Sequence, residues 1–245
     1  MTDIEALYQD DLAYVHHVGF RDVVDGAAPF LIEQLRSALP AGGRVLDIGC
    51  GGGLFLKALA EAGFHGIGVD PSPAMIAFAS DEAPDADLIC GSAYDVELPD
   101  MDAVTALGEG LGYLDPGGDQ TPPLERLIGE IGAKLPTGGL FMFDLIVSDS
   151  SQNPSGRGGR VGEDWAVFAD NGREPESDRL TRSITTFRKI GELYRRTDEV
   201  HVAHMFRSSF VTETLDAAGF DVETGDRYGA FRLGPARMAF IARKR

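Results

Sequence analysis

The chain has 245 residues, 43% of them apolar, and a formal net charge of −17. That length suits one large α/β domain or one domain with an insertion, and the apolar content is too high for a disordered chain. No apolar run reaches the roughly 20 residues a bilayer span needs. The acidic start Met1-Thr2-Asp3-Ile4-Glu5 lacks an apolar signal segment, and Cys50 and Cys90 are too few for a disulfide framework, so a reduced, cytoplasmic protein is expected. The acid is concentrated: residues 1–120 hold 21 Asp/Glu against 4 Lys/Arg, and residues 121–245 hold 18 of each. Nucleic-acid affinity comes mostly from cationic contacts to phosphate, so DNA, RNA and anionic membranes are not expected partners.

In chain order, two helical stretches come first, near 3–18 and 26–38. Residues 43–49 read as a buried strand ending in glycines. Residues 53–62 place Leu54, Phe55, Ala58 and Leu59 at helical spacing. A strand at 65–70, a helix at 72–80, and strands at 86–90 and 102–107 follow. A helix at 122–134 opens on Pro122 and Pro123, which suit a first turn. Gly139–Leu145 is a strong strand. Such alternation predicts a parallel sheet with helices on both faces. It breaks at 147–162, a Ser/Gly/Asn/Arg stretch read as loop. Three antiparallel strands are expected next, at 164–169, 179–189 and 193–205, joined by turns at Asp170-Asn171-Gly172 and Ile190-Gly191-Glu192. A helix at 208–218 and strands at about 221–231 and 237–243 close the pattern. The predicted organisation is a helical cap (1–42), an α/β core (43–146 and 207–245) and a β insertion (147–206). The core is a Rossmann-like, doubly wound, mostly parallel seven-stranded sheet with an antiparallel last strand.

The most informative segment is Val45-Leu46-Asp47-Ile48-Gly49-Cys50-Gly51-Gly52-Gly53. Glycines between a strand and a helix let the backbone approach a ligand, and the helix N-terminus offers free N–H groups. The dinucleotide fingerprint G-x-G-x-x-G requires a glycine where this chain has Leu54 or Leu56. What fits is D-x-G-x-G-x-G, on Asp47, Gly49, Gly51 and Gly53. An NAD-dependent oxidoreductase and a non-catalytic binding module remain the alternatives.

Here the sequence resembles the class I S-adenosylmethionine-dependent methyltransferases, small-molecule type. The resemblance implies S-adenosylmethionine as cofactor, with Asp47 beside its methionine end and the glycines leaving room for methionine and ribose. Asp70, in Gly68-Val69-Asp70-Pro71-Ser72, matches the acid that takes the ribose hydroxyls. Pro71 belongs to the same contact, and Met75 resembles the apolar residue against adenine. Gly91-Ser92-Ala93 stands where the family often has Gly-Asp-Ala, which leaves the Ser92 side chain or the Ala93 backbone to meet the adenine. Leu107-Gly108-Glu109 follows strand four beside the expected sulfonium position, and Pro136-Thr137-Gly138-Gly139 resembles the turn into strand five. Strand four carries no polar-Pro-Pro-aromatic motif of base-amino methylation, and neither cysteine is placed as a cytosine nucleophile.

Catalytic candidates are His17, Glu109 and Tyr113. Tyr14 and His17 share a face of the first helix, where a tyrosine would shield the sulfonium and His17 would act as base. Glu109 would hold a substrate amine or take a proton, and Tyr113 would line the pocket. His201 and His204 form H-x-x-H, but on a strand residues three apart point to opposite faces, so no metal is expected; Glu199 and His201 share a face. Arg195 and Arg196 read as exposed sheet charges. A small-molecule acceptor is expected, and a homodimer is an allowed assembly. The insertion resembles the lid of small-molecule N- and O-methyltransferases.

Overall fold

The computed structural model describes residues 7–113, 123–174 and 177–245. A seven-stranded sheet forms from β1 (Arg44–Ile48), β2 (His65–Asp70), β3 (Asp87–Cys90), β4 (Ala103–Ala106), β5 (Leu140–Ile146), β10 (Phe220–Gly225) and β13 (Arg237–Lys244). Its order is β10-β13-β5-β4-β1-β2-β3. β1 pairs in parallel with β2 and β4, and β13 runs antiparallel to both β5 and β10. Alternation along each strand sends side chains to opposite faces. Phe141, Phe143 and Leu145 of β5 pack with Leu127 and Ile131 of α5 (Pro123–Lys134) and with Leu215 of α6 (Ser208–Ala217). Leu140 and Met142 face the other way, toward Leu31 and Leu35 of α2 (Arg21–Ala38) and Leu56 and Leu59 of α3 (Leu54–Glu61). The expected doubly wound core is therefore the observed one. No described helix is long and apolar enough to cross a membrane.

A separate four-stranded antiparallel sheet, β6 (Gly156–Val161), β7 (Trp165–Arg173), β8 (Arg179–Ile190) and β9 (Leu193–His204), stands between β5 and α6. One face packs on α1 (Asp10–Gly19) through Leu12, Val15, Trp165, Val167 and Ile184. Burying an indole removes ~150–250 Å² from water, an upper limit of roughly 4–6 kcal/mol, so Trp165 is a principal anchor of this contact.

Five expectations change. Residues 156–161 are a strand, not loop: they pair along β7 as an edge strand with no alternating apolar side chains to announce it. Asp170, Asn171 and Gly172 lie inside β7, opposite Ser183, Arg182 and Thr181, because the paired strands run past that turn-like sequence. The Gly191-Glu192 turn is as expected, with Ile190 opposite Leu193 and Gly191 at φ +61°. The strand expected over 221–231 stops at Gly225, and Arg227–Tyr228 (β11) and Phe231–Arg232 (β12) turn back as a two-rung hairpin. The second helix starts at Arg21 rather than 26, with Pro29 inside it. The first expected helix begins only at Asp10, residues 7–9 being non-helical; its residues 3–6, and Pro122, fall outside the described residues.

Candidate active site

The ends of β4, β1 and β2 lie side by side in the sheet. Gly49, Gly51 and Gly53 adopt φ of +68°, +52° and +79°. At Gly53 a Cβ would come within 2.8 Å of Ala79 in α4 (Pro73–Glu82), so the α3–α4 contact requires glycine. At Gly51 and at Gly108 a Cβ would meet nothing within 4 Å: both loops face open space. Two carboxylates border it. Asp70 is buried and accepts hydrogen bonds from the Gly51 and Ser72 amides, each at 2.9 Å. Burial raises it to about 6, although those amide bonds oppose the shift. Asp47 accepts from the Thr105 hydroxyl at 2.7 Å, and burial raises it to about 7. Among the described residues no cation pairs with either acid. Buried carboxylates beside an open glycine cradle suit a ligand that brings hydroxyl and ammonium donors.

Met75 is buried at the start of α4, its amide 3.2 Å from the Ser72 hydroxyl that caps the helix. Pro71 is half-buried beside it. The Ser92 hydroxyl accepts from the Tyr94 amide at 3.2 Å, so it is engaged in its own turn, while Ala93 joins the core. Leu107 packs against the core cluster on the α2–α3 face.

Past β4, the chain is held from β5. Asp144 accepts from the Gly108 and Glu109 amides at 3.0 and 3.1 Å and from the Tyr228 hydroxyl at 3.2 Å. Glu109 stands at φ +64°, a conformation costly for a residue with a Cβ. Its carboxylate accepts from Arg182 at 2.8 and 2.6 Å and from Arg237. Burial pushes Glu109 up, but the two guanidiniums outweigh it and hold the group below its ordinary value. This expected base is thus a permanent anion at the centre of an ion cluster. Arg182 also donates to the Tyr113 hydroxyl at 2.6 Å. The Tyr8 and Tyr113 rings meet edge to face at 6.5 Å, and both flank His201, at 4.9 and 6.0 Å.

The N-terminal segment straps this cluster. The Tyr8 and Gln9 amides donate to Glu199, and the Ser72 hydroxyl donates to the Tyr8 carbonyl at 2.8 Å. Tyr8, at φ +51°, is drawn inward, and burial, then Tyr113, pushes its phenol well above the ordinary value. Tyr14 and His17 do share a face, on which both meet Phe78. Neither joins the Tyr113 cluster. The Tyr14 hydroxyl donates to Asp164 at 2.8 Å, beneath the Arg188 guanidinium. His17 fills the space beside Gly52, stacks on Phe78 at 4.9 Å and lies 3.6 Å from Glu82. Arg195 holds Asp11 through two contacts of 2.6 Å, and Arg196 reaches Asp198. A cavity of about 420 Å³ opens between the strap, α4 and β9, lined by Tyr8, Asp11, Ser72 and Arg195. Tyr8 is shared by this cavity and the cluster, whereas Asp47, Glu109, Tyr113 and His201 do not line the cavity. Among the described residues no three metal-ligating side chains converge.

Sequence reasoning missed Tyr8, Arg182, Arg237 and Asp144. For Arg182 a signal existed: it falls in phase with Leu180, Ile184 and Thr186, which face inward on β8.

A doubly wound sheet in this order, with an acid-and-glycine cradle at the ends of β1 and β2, defines the Rossmann-like methyltransferase fold. A family model described as a methyltransferase domain matches residues 24–224, and the chain belongs to that family. It is an S-adenosylmethionine-dependent methyltransferase, which decides against the nicotinamide reading of the glycines. A putative methyltransferase of Bacillus subtilis, YqeM, is 28% identical over 222 residues, 83% of this chain and 86% of the relative. An S-adenosylmethionine-dependent methyltransferase structure from Clostridium acetobutylicum superposes with a TM-score of 0.78 at 20% identity, covering 95% of this chain and 97% of that one. The sugar N-methyltransferase KedS8 from Streptoalloteichus gives 0.75 at 23% identity, covering 98% and 96%.

Proposed function

We propose that the enzyme methylates a nitrogen or oxygen of a small molecule held between the end of β4 and the four-stranded sheet, which serves as a lid. The observation that carries this reading is the enclosure of Tyr113 by Tyr8, Arg182 and His201, contributed by the strap and by β8 and β9. Such a covered site suits a small acceptor and excludes water. S-adenosylmethionine supplies a methyl group already activated by sulfonium. The residues then have three tasks. Asp47 and Asp70 fix the methionine and ribose ends, with Gly49, Gly51, Gly53, Pro71, Met75, Ser92, Ala93, Leu107 and Gly108 completing the cofactor walls. Glu109, with Arg182, orients Tyr113. Tyr8, rather than Tyr14, covers the transfer site. Structural likeness to a sugar N-methyltransferase supports an amine on a sugar as the first acceptor to test. The acidic first half supports a non-polynucleotide substrate, and the exposed Phe168, Leu193, Tyr194 and Val200 of the lid support a homodimer. A cytoplasmic location accords with both cysteines being free.

The test is methyl transfer from radiolabelled S-adenosylmethionine to a panel of amino sugars and phenols, with Asp70→Asn alongside. The expected outcome is turnover on at least one panel member and cofactor affinity at least tenfold lower in the variant, about 1.4 kcal/mol. Labelling of tRNA or protein in place of the panel would overturn the acceptor class.

A further inference from the structure

His201 is a fully buried imidazole flanked by Tyr8 and Tyr113 of the proposed transfer site. Its Nε2 lies 2.8 Å from Glu199 Oε2 on the same face of β9. The Glu199 carboxylate already accepts the Tyr8 and Gln9 amides at 2.8 and 3.1 Å, so it presents acceptors only. The proton of a neutral His201 therefore belongs on Nε2, which leaves the lone pair on Nδ1. That Nδ1 is buried and has no hydrogen-bond partner. Buried polar atoms in folded proteins are nearly always paired, so this one calls for a ligand. Tyr8 and Tyr113 wall the ring edge to face, and Arg182 stands opposite His201 in the β8–β9 register while binding Tyr113. His17, the base expected from the sequence, is instead packed against Gly52 and α4.

We propose that His201 Nδ1 is the general base of the transfer, and that Glu199 is a positioning residue fixing its tautomer; this rests on the reading that the acceptor binds beneath the lid. The acceptor's lone pair forms a bond to the methyl carbon while the methyl–sulfur bond breaks, its electron pair staying on sulfur. The proton carried by the acceptor nitrogen or oxygen passes to His201 Nδ1, and the resulting imidazolium is held through Nε2–H by Glu199. The charged and titratable groups facing the ring are Glu199 from β9, Arg182 from β8, Tyr8 from the strap, Tyr113 from the turn after β4, and His16 of α1, which burial lowers to about 4 and so keeps neutral.

The first test needs no acceptor. Long-range proton–nitrogen NMR of nitrogen-15-histidine protein, bound to S-adenosylhomocysteine at neutral pH, should show one imidazole with bare Nδ1 and protonated Nε2. That signal should vanish in His201→Phe and lose its single-tautomer signature in Glu199→Gln. A proton on Nδ1 of His201 overturns the proposal. The second test is the pH dependence of kcat on whichever amino sugar or phenol the panel identifies. His201→Phe should lower kcat about 100-fold, remove the rise of kcat with pH and leave S-adenosylhomocysteine affinity unchanged. An unaltered pH profile overturns the proposal. If His201→Phe does not fold, Glu199→Gln carries the same comparison, with a shifted profile expected and an unshifted one contrary. If wild-type protein binds S-adenosylhomocysteine but methylates nothing in the panel, the acceptor class fails, and the His201 tautomer alone decides the base.

Discussion

Glu109→Gln removes one charge while nearly keeping the side chain's shape. Glu109 is 1% exposed, and it is the common partner of Arg182 and Arg237, whose side chains are 16% and 27% exposed. The amide cannot neutralise two guanidiniums, and its NH₂ group would point a donor at donors. Removing one partner of a buried ion pair costs about 3–5 kcal/mol, because the other charge stays buried. For a chain of this size each kcal/mol moves the melting temperature by about 2–4 °C, so the ligand-free variant should melt roughly 6–20 °C below wild type. Differential scanning calorimetry at neutral pH reads this directly. Adding Arg182→Met to Glu109→Gln should cost less than the sum of the single changes, since one of the two orphaned guanidiniums leaves with its partner. A variant melting within about 2 °C of wild type would refute the claim that Glu109 is a structural anion.

Burial raises Asp47 to about 7 and Asp70 and Asp144 to about 6. Their contribution to ligand-free stability is thus fully present below about 4, the unfolded value, and lost as pH rises through about 6 to 7. A ligand ammonium needs Asp47 ionised, so S-adenosylhomocysteine affinity should fall about tenfold from pH 8 to pH 6. Titration calorimetry should show proton release on binding at the lower pH, and a flat profile would contradict the placement of Asp47. Gly51→Val puts a side chain into the open cradle at φ +52°. Cofactor affinity should drop more than tenfold, and an unchanged dissociation constant would count against the cradle. Filter binding to tRNA and duplex DNA at roughly 150 mM salt should show weak retention; tight, salt-sensitive retention would overturn the charge argument.

The core was legible because its signals are local. Asp47, the spaced glycines and Asp70 sit at strand ends, and Phe141–Leu145 is buried on both faces, which reads as one apolar run. The inserted sheet was less so. Residues 156–161 carry three glycines and two arginines, and only pairing with β7 makes them a strand. Asp170-Asn171-Gly172 has the chemistry of a turn, but register with β8 overrides it. The cluster around Tyr113 was hardest, since its members come from five places: the strap (Tyr8), the turn after β4 (Glu109, Tyr113), β8 (Arg182), β9 (Glu199, His201) and β13 (Arg237). No spacing rule joins residues separated by 128 positions, as Glu109 and Arg237 are. The sequence points to Glu109 and Tyr113, but not to the two arginines that reach Glu109.

The inserted sheet leaves and rejoins the core at nearly one point. Val147 bridges Phe206, the Ser148 amide donates to the Phe206 carbonyl at 2.8 Å, and the Phe206 amide donates to Ile146 at 3.2 Å. An excursion whose two ends are already clasped can lengthen, shorten or be exchanged at little entropic cost to the rest of the chain. On the proposed reading of this sheet as a lid, acceptor preference can therefore diverge without disturbing the core strands. The restraint on such drift is α1: Leu12 and Val15 press on Trp165, and Tyr14 and Asp11 are tied to Asp164 and Arg195. An exchanged insertion would have to bring its own matching α1, so the two segments should be inherited as a pair even though about 130 residues of core separate them in sequence.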